Sequence, residues 1–247
     1  EMTSSLVGSE MCIRDRFTDM KIDGKDVYPK LHDKLKESGF DKKEPISKQL
    51  YDIYGLYPAP GDRHVGEFFP YYMKEEVLME QDYEWKNNDF KVVDGWREEA
   101  RVLFDEVRTK KEGYEEFLKG SGETATYFIR SLATGDISDE MVNVINNGYI
   151  DNVSSGIIVE LPTYIDEFGL HPQKIGKLPD AIAAQCDRLG REYLLMVEAA
   201  ATCNYELARQ AMFLDPLVSN CKYPELLLKD LIRANLDLLP EAWEKHC

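Results

Sequence analysis

The sequence predicts an α+β fold in one domain, built mostly from long helices with a few antiparallel strands packed against them. Apolar residues recur at helical spacing in Gly95–Lys119 and again from Pro179 to about Thr202. Met141–Ile150 and Gly156–Tyr164 instead have the character of two strands around a turn, the second of them rich in β-branched residues. The 247-residue chain shows no internal repeat or low-complexity linker, so one hydrophobic core is the simplest interpretation.

Turn and cap residues predict the elements at the start of the chain. These elements are strands Phe17–Ile22 and Lys25–Tyr28 and helices Pro29–Ser38, Ile46–Tyr54 and His64–Met73. Asp23-Gly24 suits the tight turn of a hairpin, and Pro29 is tolerated in a first helical turn. Gly39 and Gly55 stand where helices commonly end. The segment between Gly55 and His64 contains two prolines and a glycine, which predict a stiff loop.

The same signals predict the later elements. They are helices Thr124–Ala133, Tyr205–Leu214 and Pro224–Leu239. Gly135 marks the end of the first, and Pro224 fits the first turn of the last. The spacing of Leu103, Phe104 and Val107 predicts that one face of the Gly95–Lys119 helix belongs to the core.

Charge and cysteine usage limit the function classes. The formal net charge of −16 disfavours nucleic acid and anionic membrane surfaces as partners. No stretch approaches the roughly 20 consecutive apolar residues that a membrane-spanning helix needs. Five scattered cysteines with no C-x-x-C pair favour free thiols and a cytoplasmic location.

Residues 1–16 do not match the composition of the rest of the chain. The run from Ser5 to Arg16 resembles a translated sequencing adapter, and a short disordered leader is the alternative. We therefore expect the folded domain to comprise residues 17–247 and assign no chemistry to Cys12.

Two sequence patterns are weak signals for ligand sites. Gly120–Ala125 formally fits the dinucleotide fingerprint, but a predicted helix rather than a strand precedes it, so an inter-helix loop is the better interpretation. The four histidines lie far apart, and none has a second soft ligand at the spacing of a zinc site. His171, before Pro172, is expected in a turn. The spacing alone predicts no metal ligands.

The loop before His64 is the strongest candidate for a functional site. It presents Asp62, Arg63 and His64 in succession at the entry to a helix, and such loops on rigid supports often carry catalytic groups. Asp62 is equally well explained as the N-cap of the adjoining helix. Spacing leaves both interpretations open.

A set of short motifs, spread in order over most of the chain after Phe17, resembles a known family. The motifs are Asp23-Gly-Lys-Asp-Val-Tyr-Pro29, Tyr54-Gly55, Pro60-Gly-Asp-Arg-His64, Glu67-Phe-Phe-Pro70, Asn146-Asn-Gly148, Val159-Glu-Leu-Pro162, Gly169-Leu-His-Pro172, Leu178-Pro179 and Leu214-Asp-Pro216. Together they resemble the C-terminal half of glycoside hydrolase family 4, the NAD- and divalent-metal-dependent glycosidases. No single motif is diagnostic, but their order and spacing are fairly specific.

The resemblance implies a lactate/malate dehydrogenase-like C-terminal domain and a redox route to glycoside hydrolysis. On the family's route, NAD oxidises the sugar at C3, and a base then removes the C2 proton so that the aglycone leaves. Water adds, and the ketone is reduced back. Manganese polarises the C3 oxygen. The resemblance also implies that Asp62 is a catalytic acid or base, that Arg63 and His64 bind a substrate such as a uronide, and that Asn146 contacts the cofactor.

The sequence also departs from the family pattern. The Rossmann half with its NAD fingerprint, and the family's metal-binding cysteine and histidine, are expected upstream of the matching residues. The resemblance therefore implies a C-terminal catalytic and substrate domain that is inactive alone and that forms a homodimer or homotetramer when full length.

Two other functions remain open. The chain could be the C-terminal half of an NAD-dependent 2-hydroxy acid dehydrogenase, because the glycosidase family shares that architecture. It could also be an acidic, non-catalytic interaction module that binds a partner through the helices of Tyr205–Leu239.

Overall fold

The computed structural model of the chain describes residues 21–22, 25–26, 28–37, 44–58, 61–72, 90–110 and 125–246. Its helices are α1 (Tyr28–Glu37), α2 (Pro45–Tyr54), α3 (Asp62–Glu67), α4 (Phe90–Lys110), α5 (Ala125–Thr134), α6 (Asp180–Thr202), α7 (Tyr205–Leu214) and α8 (Pro224–Ala234). Its strands are β1 (Lys21–Ile22), β2 (Lys25–Asp26), β3 (Ser138–Ile145), β4 (Ile158–Asp166) and β5 (Gly169–Pro172). Short 3₁₀ helices span Pro216–Asn220 and Glu241–His246. This architecture confirms the α+β class.

Two antiparallel sheets are present in the described ranges. Strands β1 and β2 form a short hairpin, and β3, β4 and β5 form a three-stranded sheet in that order. In the larger sheet Val144 faces Val159 and Ser138 faces Ile165, so β3 and β4 pair along their whole common length. Strand β5 pairs with the end of β4.

Local cap residues explain where several helices begin and end. Gly55 ends α2 in the left-handed conformation, with φ of 70°, and its N–H donates to the carbonyl of Tyr51 at 2.8 Å. Asn204 begins α7, where its Oδ1 accepts hydrogen bonds from the N–H groups of Glu206 and Leu207. These caps account for the agreement between the predicted and observed bounds of α2 and α7.

One hydrophobic core connects the N-terminal helices to the sheet and to α6. Its members share near-complete burial and come from α2, from α3 and the residues directly after it, from the β3–β4 connection, from β4 and from α6. They include Ile46, Leu50, Val65, Phe68, Phe69, Ile157, Val159, Leu161, Ile182, Cys186 and Leu189. The loop between α2 and α3 is therefore supported on a packed base.

Helix α6 approaches the β3–β4 connection closely at Gly190. A Cβ atom at this position would lie 2.5 Å from Cδ1 and 2.8 Å from Cβ of Ile157, well inside van der Waals contact. Glycine at position 190 is therefore required by the distance between the helix and Ile157.

Gly190→Ala is expected to lower the free energy of unfolding by about 1–3 kcal/mol, because the added methyl group overpacks the core against Ile157. Gly95→Ala in α4 is the matched control, since nothing lies within 4 Å of a Cβ at that position. The control should gain about 0.5–1 kcal/mol from helix propensity. Urea unfolding followed by circular dichroism measures both. A stabilised Gly190→Ala variant would contradict the close approach.

Several predicted elements differ from the observed ones. The helix predicted over His64–Met73 is observed as Asp62–Glu67 and ends before Pro70. The strand predicted over Met141–Ile150 is β3, Ser138–Ile145, and the last helix ends at Ala234 rather than Leu239. Residues 1–20, which contain the leader, and residues 111–124, which contain all of the Gly120–Ala125 pattern except Ala125, lie outside the described residues.

Two predictions about environment were wrong. His171 lies in β5 rather than in a turn, with its Nε2 2.9 Å from Oδ1 of Asp166. The apolar face of α4 is not core: Leu103 and Val107 are half-buried, and Phe104 is 62% exposed. Periodicity predicts an amphipathic helix, but it does not identify what covers the apolar face.

Candidate functional site

The first residues of α2 and α3 are joined by reciprocal hydrogen bonds through two acidic side chains. Oδ2 of Asp62 accepts the N–H of Ile46 at 2.7 Å, and Oδ1 accepts the N–H of Ser47 at 2.7 Å. In return, the N–H of Asp62 donates to Oε2 of Glu44 at 2.8 Å. Each helix thus receives, at its amino end, a carboxyl group that belongs to the other. We call this arrangement the crossed cap.

The crossed cap corrects the prediction that Asp62 is the N-cap of its own helix. Gly61, not Asp62, is the N-cap residue of α3, and Asp62 is the first residue inside that helix. The Asp62 carboxylate caps α2 instead, across 15 and 16 residues of chain. A cap was therefore correctly considered, but on the wrong helix.

Arg63 and His64 follow Asp62 within α3. The N–H of His64 donates to the carbonyl of Gly61 at 3.0 Å, and the imidazole is exposed to solvent. The backbone of Arg63 is helical. The structure thus places all three predicted residues of this loop at the start of one short helix, with His64 accessible to a ligand.

Tyr57 lies close enough to the crossed cap to interact with the charges of Glu44 and Asp62. Burial, together with the negative charges of Glu44 and Asp62, raises the pKa of the Tyr57 phenol to about 12. The phenol is therefore protonated at neutral pH. The backbone N–H of Tyr57 lies 3.3 Å from the Tyr28 hydroxyl, which attaches the loop to α1.

Aromatic rings surround this part of the loop. Tyr51 lies at the centre, with ring centroids 6.4 Å from both Tyr28 and Tyr57 and 6.0 Å from His32. The Tyr51 hydroxyl is 3.3 Å from Nδ1 of His32. Because Tyr51 is buried among these rings, the cluster supports the loop from beneath.

Asn146 is at the start of the β3–β4 connection rather than in this loop, and it is completely buried. Its Nδ2 lies within hydrogen-bonding distance of the carbonyls of Ile150, Val153 and Ser154, at 3.1, 2.8 and 3.3 Å. Its Oδ1 accepts the N–H of Ile150 at 3.1 Å. The side chain thus organises the β3–β4 connection, and the cofactor role suggested by the resemblance stays a prediction.

Arg188 is a half-buried connector that no sequence pattern indicated. Its guanidinium donates to the carbonyls of Phe68 and Leu214, each at 3.0 Å, and to Oε1 of Gln185. Partial burial holds the pKa of Arg188 below its usual value. The residue joins the end of the α3 region to the end of α7. No spacing rule connects an arginine to carbonyls 26 and 120 residues away.

Glu44 was also missed, although a signal for it exists. An acidic residue directly before a proline that opens a helix is in the N-cap position, where the helix dipole favours a negative charge. The pattern predicts a cap for α2 but gives no indication that the side chain turns to Asp62 instead.

The described residues do not bring together the ligands of a metal ion. No group of three or more His, Cys, Asp or Glu side chains comes together in these ranges in a way that could hold a metal ion. Asn146, the predicted cofactor contact, uses its amide within its own loop. We therefore derive no reaction step through either group.

A surface groove at the start of α6 is lined by three aspartates, Asp151, Asp180 and Asp187. Asp187 accepts hydrogen bonds from the N–H of Ser154 and from Nε of Arg191, both at 2.7 Å. Asp151 pairs with Lys174. These interactions are structural.

Among the helices that the structure describes, none is long and apolar enough to cross a membrane.

The structure defines a helical α+β domain whose polar site lies where two helix starts meet. Residues 16–218 match the model of the Family 4 glycosyl hydrolase C-terminal domain, and the chain belongs to this family. The resemblance inferred from the motifs is thereby confirmed.

The chain is similar to several characterised members of the family. It is 29% identical over 237 residues to an alpha-galactosidase of Bacillus subtilis, covering 90% of this chain and 52% of the relative. It is 30% identical over 237 residues to an alpha-galacturonidase of Thermoanaerobacterium saccharolyticum, covering 88% and 50%. The chain spans about half the length of the curated relatives it matches.

Solved structures show the same fold. A 6-phospho-alpha-glucosidase from gut microorganisms, in complex with NAD and glucose-6-phosphate, has a TM-score of 0.72 and 26% identity, covering 90% of this chain and 51% of that one. A 6-phospho-beta glucosidase from Thermotoga maritima, with manganese, NAD+ and glucose-6-phosphate, has a TM-score of 0.63 at 24% identity, covering 88% and 50%. The second likeness concerns the fold alone.

Proposed function

We propose that this chain is the C-terminal half of an NAD- and divalent-metal-dependent glycosidase that hydrolyses an α-glycoside, with uronides among the candidate substrates. The observation that carries the proposal is the family match over residues 16–218. The similar proteins from Bacillus subtilis and Thermoanaerobacterium saccharolyticum, an alpha-galactosidase and an alpha-galacturonidase, support the α-anomer and the uronide.

In this proposal Asp62 exchanges a proton with the sugar. Each of its carboxylate oxygens accepts one backbone N–H, and a carboxylate has the capacity for further hydrogen bonds. The capping bonds fix the orientation of the group, which favours catalysis because no reorganisation is needed. Arg63 and His64 would bind the substrate, the arginine by pairing with the carboxylate of a uronide.

The proposal places NAD and the metal, manganese, mainly on an N-terminal half that precedes the matching residues. The full-length protein would be a cytoplasmic homodimer or homotetramer that acts on a small sugar. The net charge of −16 supports the absence of nucleic acid and anionic membranes among its partners.

The test uses residues 17–247 completed with the N-terminal half of the family, either from the chain's own upstream sequence or from the Bacillus subtilis relative. We call this the completed enzyme. With NAD and Mn²⁺ it should release nitrophenol from nitrophenyl α-galactoside or α-galacturonide. Turnover of 2-hydroxy acids instead would favour the dehydrogenase, and a folded, NAD-binding protein that turns over neither would favour the interaction module.

A further inference from the structure

Glu44 is hydrogen-bonded to Asp62, and the proposed function gives this contact no role. Oε2 of Glu44 accepts the N–H of Asp62 at 2.8 Å, while the Asp62 carboxylate is held by the N–H groups of Ile46 and Ser47. The two acidic side chains therefore lie side by side, each attached to the helix start of the other.

The position of Glu44 makes its proton sensitive to Asp62. The pKa of Glu44 is raised, first because its carboxyl group is partly buried and then because the Asp62 carboxylate lies beside it. Two like charges in one partly buried site repel, so Glu44 takes up a proton more readily than an isolated glutamate.

The described titratable neighbours of Glu44 lie on three elements. From α3 the group that acts on it is Asp62, and in the connecting loop Glu44 in turn acts on Tyr57. On its own helix, the Lys48 ammonium is paired with Asp52. Among the side chains that the structure describes, none contributes a positive charge to the environment of the Glu44 carboxyl group.

We infer that Glu44 is a positioning residue for Asp62: its carboxyl group accepts the Asp62 N–H and holds the first residue of α3 in place. This inference rests on the proposed role of Asp62 in glycoside hydrolysis. It adds a second carboxyl group to the site.

The first experiment uses the 247-residue chain and does not depend on activity. Titration followed by NMR, with labelled carboxyl and tyrosine side chains, should give a pKa for Glu44 above its ordinary value of 4.5 and a pKa for Tyr57 of about 12. Asp62→Asn should lower the Glu44 value, and Glu44→Gln should lower the Tyr57 value, because each removes a neighbouring negative charge. Asp52→Asn, on the exposed part of α2, is the control and should change neither. Unchanged values in both site variants would overturn the inference.

The second experiment measures kcat and KM of the completed enzyme. Glu44→Gln keeps an oxygen that can accept the Asp62 N–H, so it should retain most of the wild-type kcat. Glu44→Ala loses the hydrogen bond and should lower kcat about tenfold or more with little change in KM, because Asp62 is no longer held in position. A Glu44→Ala variant with wild-type kcat, or a Glu44→Gln variant as impaired as Glu44→Ala, would overturn the inference and leave the glycosidase assignment intact. If the variants change the pKa values as expected but the completed enzyme turns over no α-glycoside, the proposed function is refuted. Glu44 and Asp62 then have no catalytic role.

Discussion

Asp62→Asn is expected to lower kcat of the completed enzyme on an α-glycoside by at least about a hundredfold, because a neutral amide cannot take up the proton that the carboxylate accepts. The KM should change much less, since an amide of the same size occupies the same place. Steady-state rates with a nitrophenyl α-galactoside and an α-galacturonide measure the effect. Equal losses on both sugars are expected if the role is in proton transfer rather than in recognition of the uronide.

Asp62→Asn is also expected to lower the stability of the domain, so a control is needed. Asparagine retains one acceptor oxygen and so keeps only one of the two capping bonds to Ile46 and Ser47. The loss of one such bond costs about 1 kcal/mol, which does not unfold a stable domain. Asp52→Asn removes a charge from the exposed side of α2 and should retain full activity. A folded Asp62→Asn variant with wild-type kcat would eliminate Asp62 as the catalytic carboxylate.

Asn146→Ala is expected to lower the free energy of unfolding by about 3 kcal/mol or more, because it leaves several buried backbone groups without a partner. The affected groups are the N–H and carbonyl of Ile150 and the carbonyl of Val153. Thermal and urea unfolding of the 247-residue chain measure the change.

Asn143→Ala provides the matched control, since Asn143 lies earlier on the same strand, β3, and is exposed. Its effect should stay within about 0.5 kcal/mol. A loss below about 1 kcal/mol for Asn146→Ala would show that the loop does not depend on this amide. If the variant keeps its fold but binds NAD more weakly in the completed enzyme, the cofactor role predicted for Asn146 is supported.

The sequence predicted those helices whose ends are marked by cap residues. Gly55 ends α2, and Asn204 with Tyr205 begins α7, within the residues that the cap rules indicate. Strand β5 was missed because it has four residues and contains Pro172, so it offers too short a pattern to recognise.

The candidate site was predicted less completely than the fold. The sequence indicated the loop and Asp62 as candidates, since prolines and glycines mark the loop locally. It could not identify the partner of Asp62, because the bonds to Ile46, Ser47 and Glu44 depend on how two helices approach each other in the folded chain. Arg188 was missed for the same reason.

The position of Arg188 sets a limit on how far the domain can be shortened. One guanidinium holds both Phe68, next to the site helix, and Leu214, the last residue of α7. The family match extends to residue 218, just beyond Leu214. A minimal expression fragment must therefore retain α7 to its end.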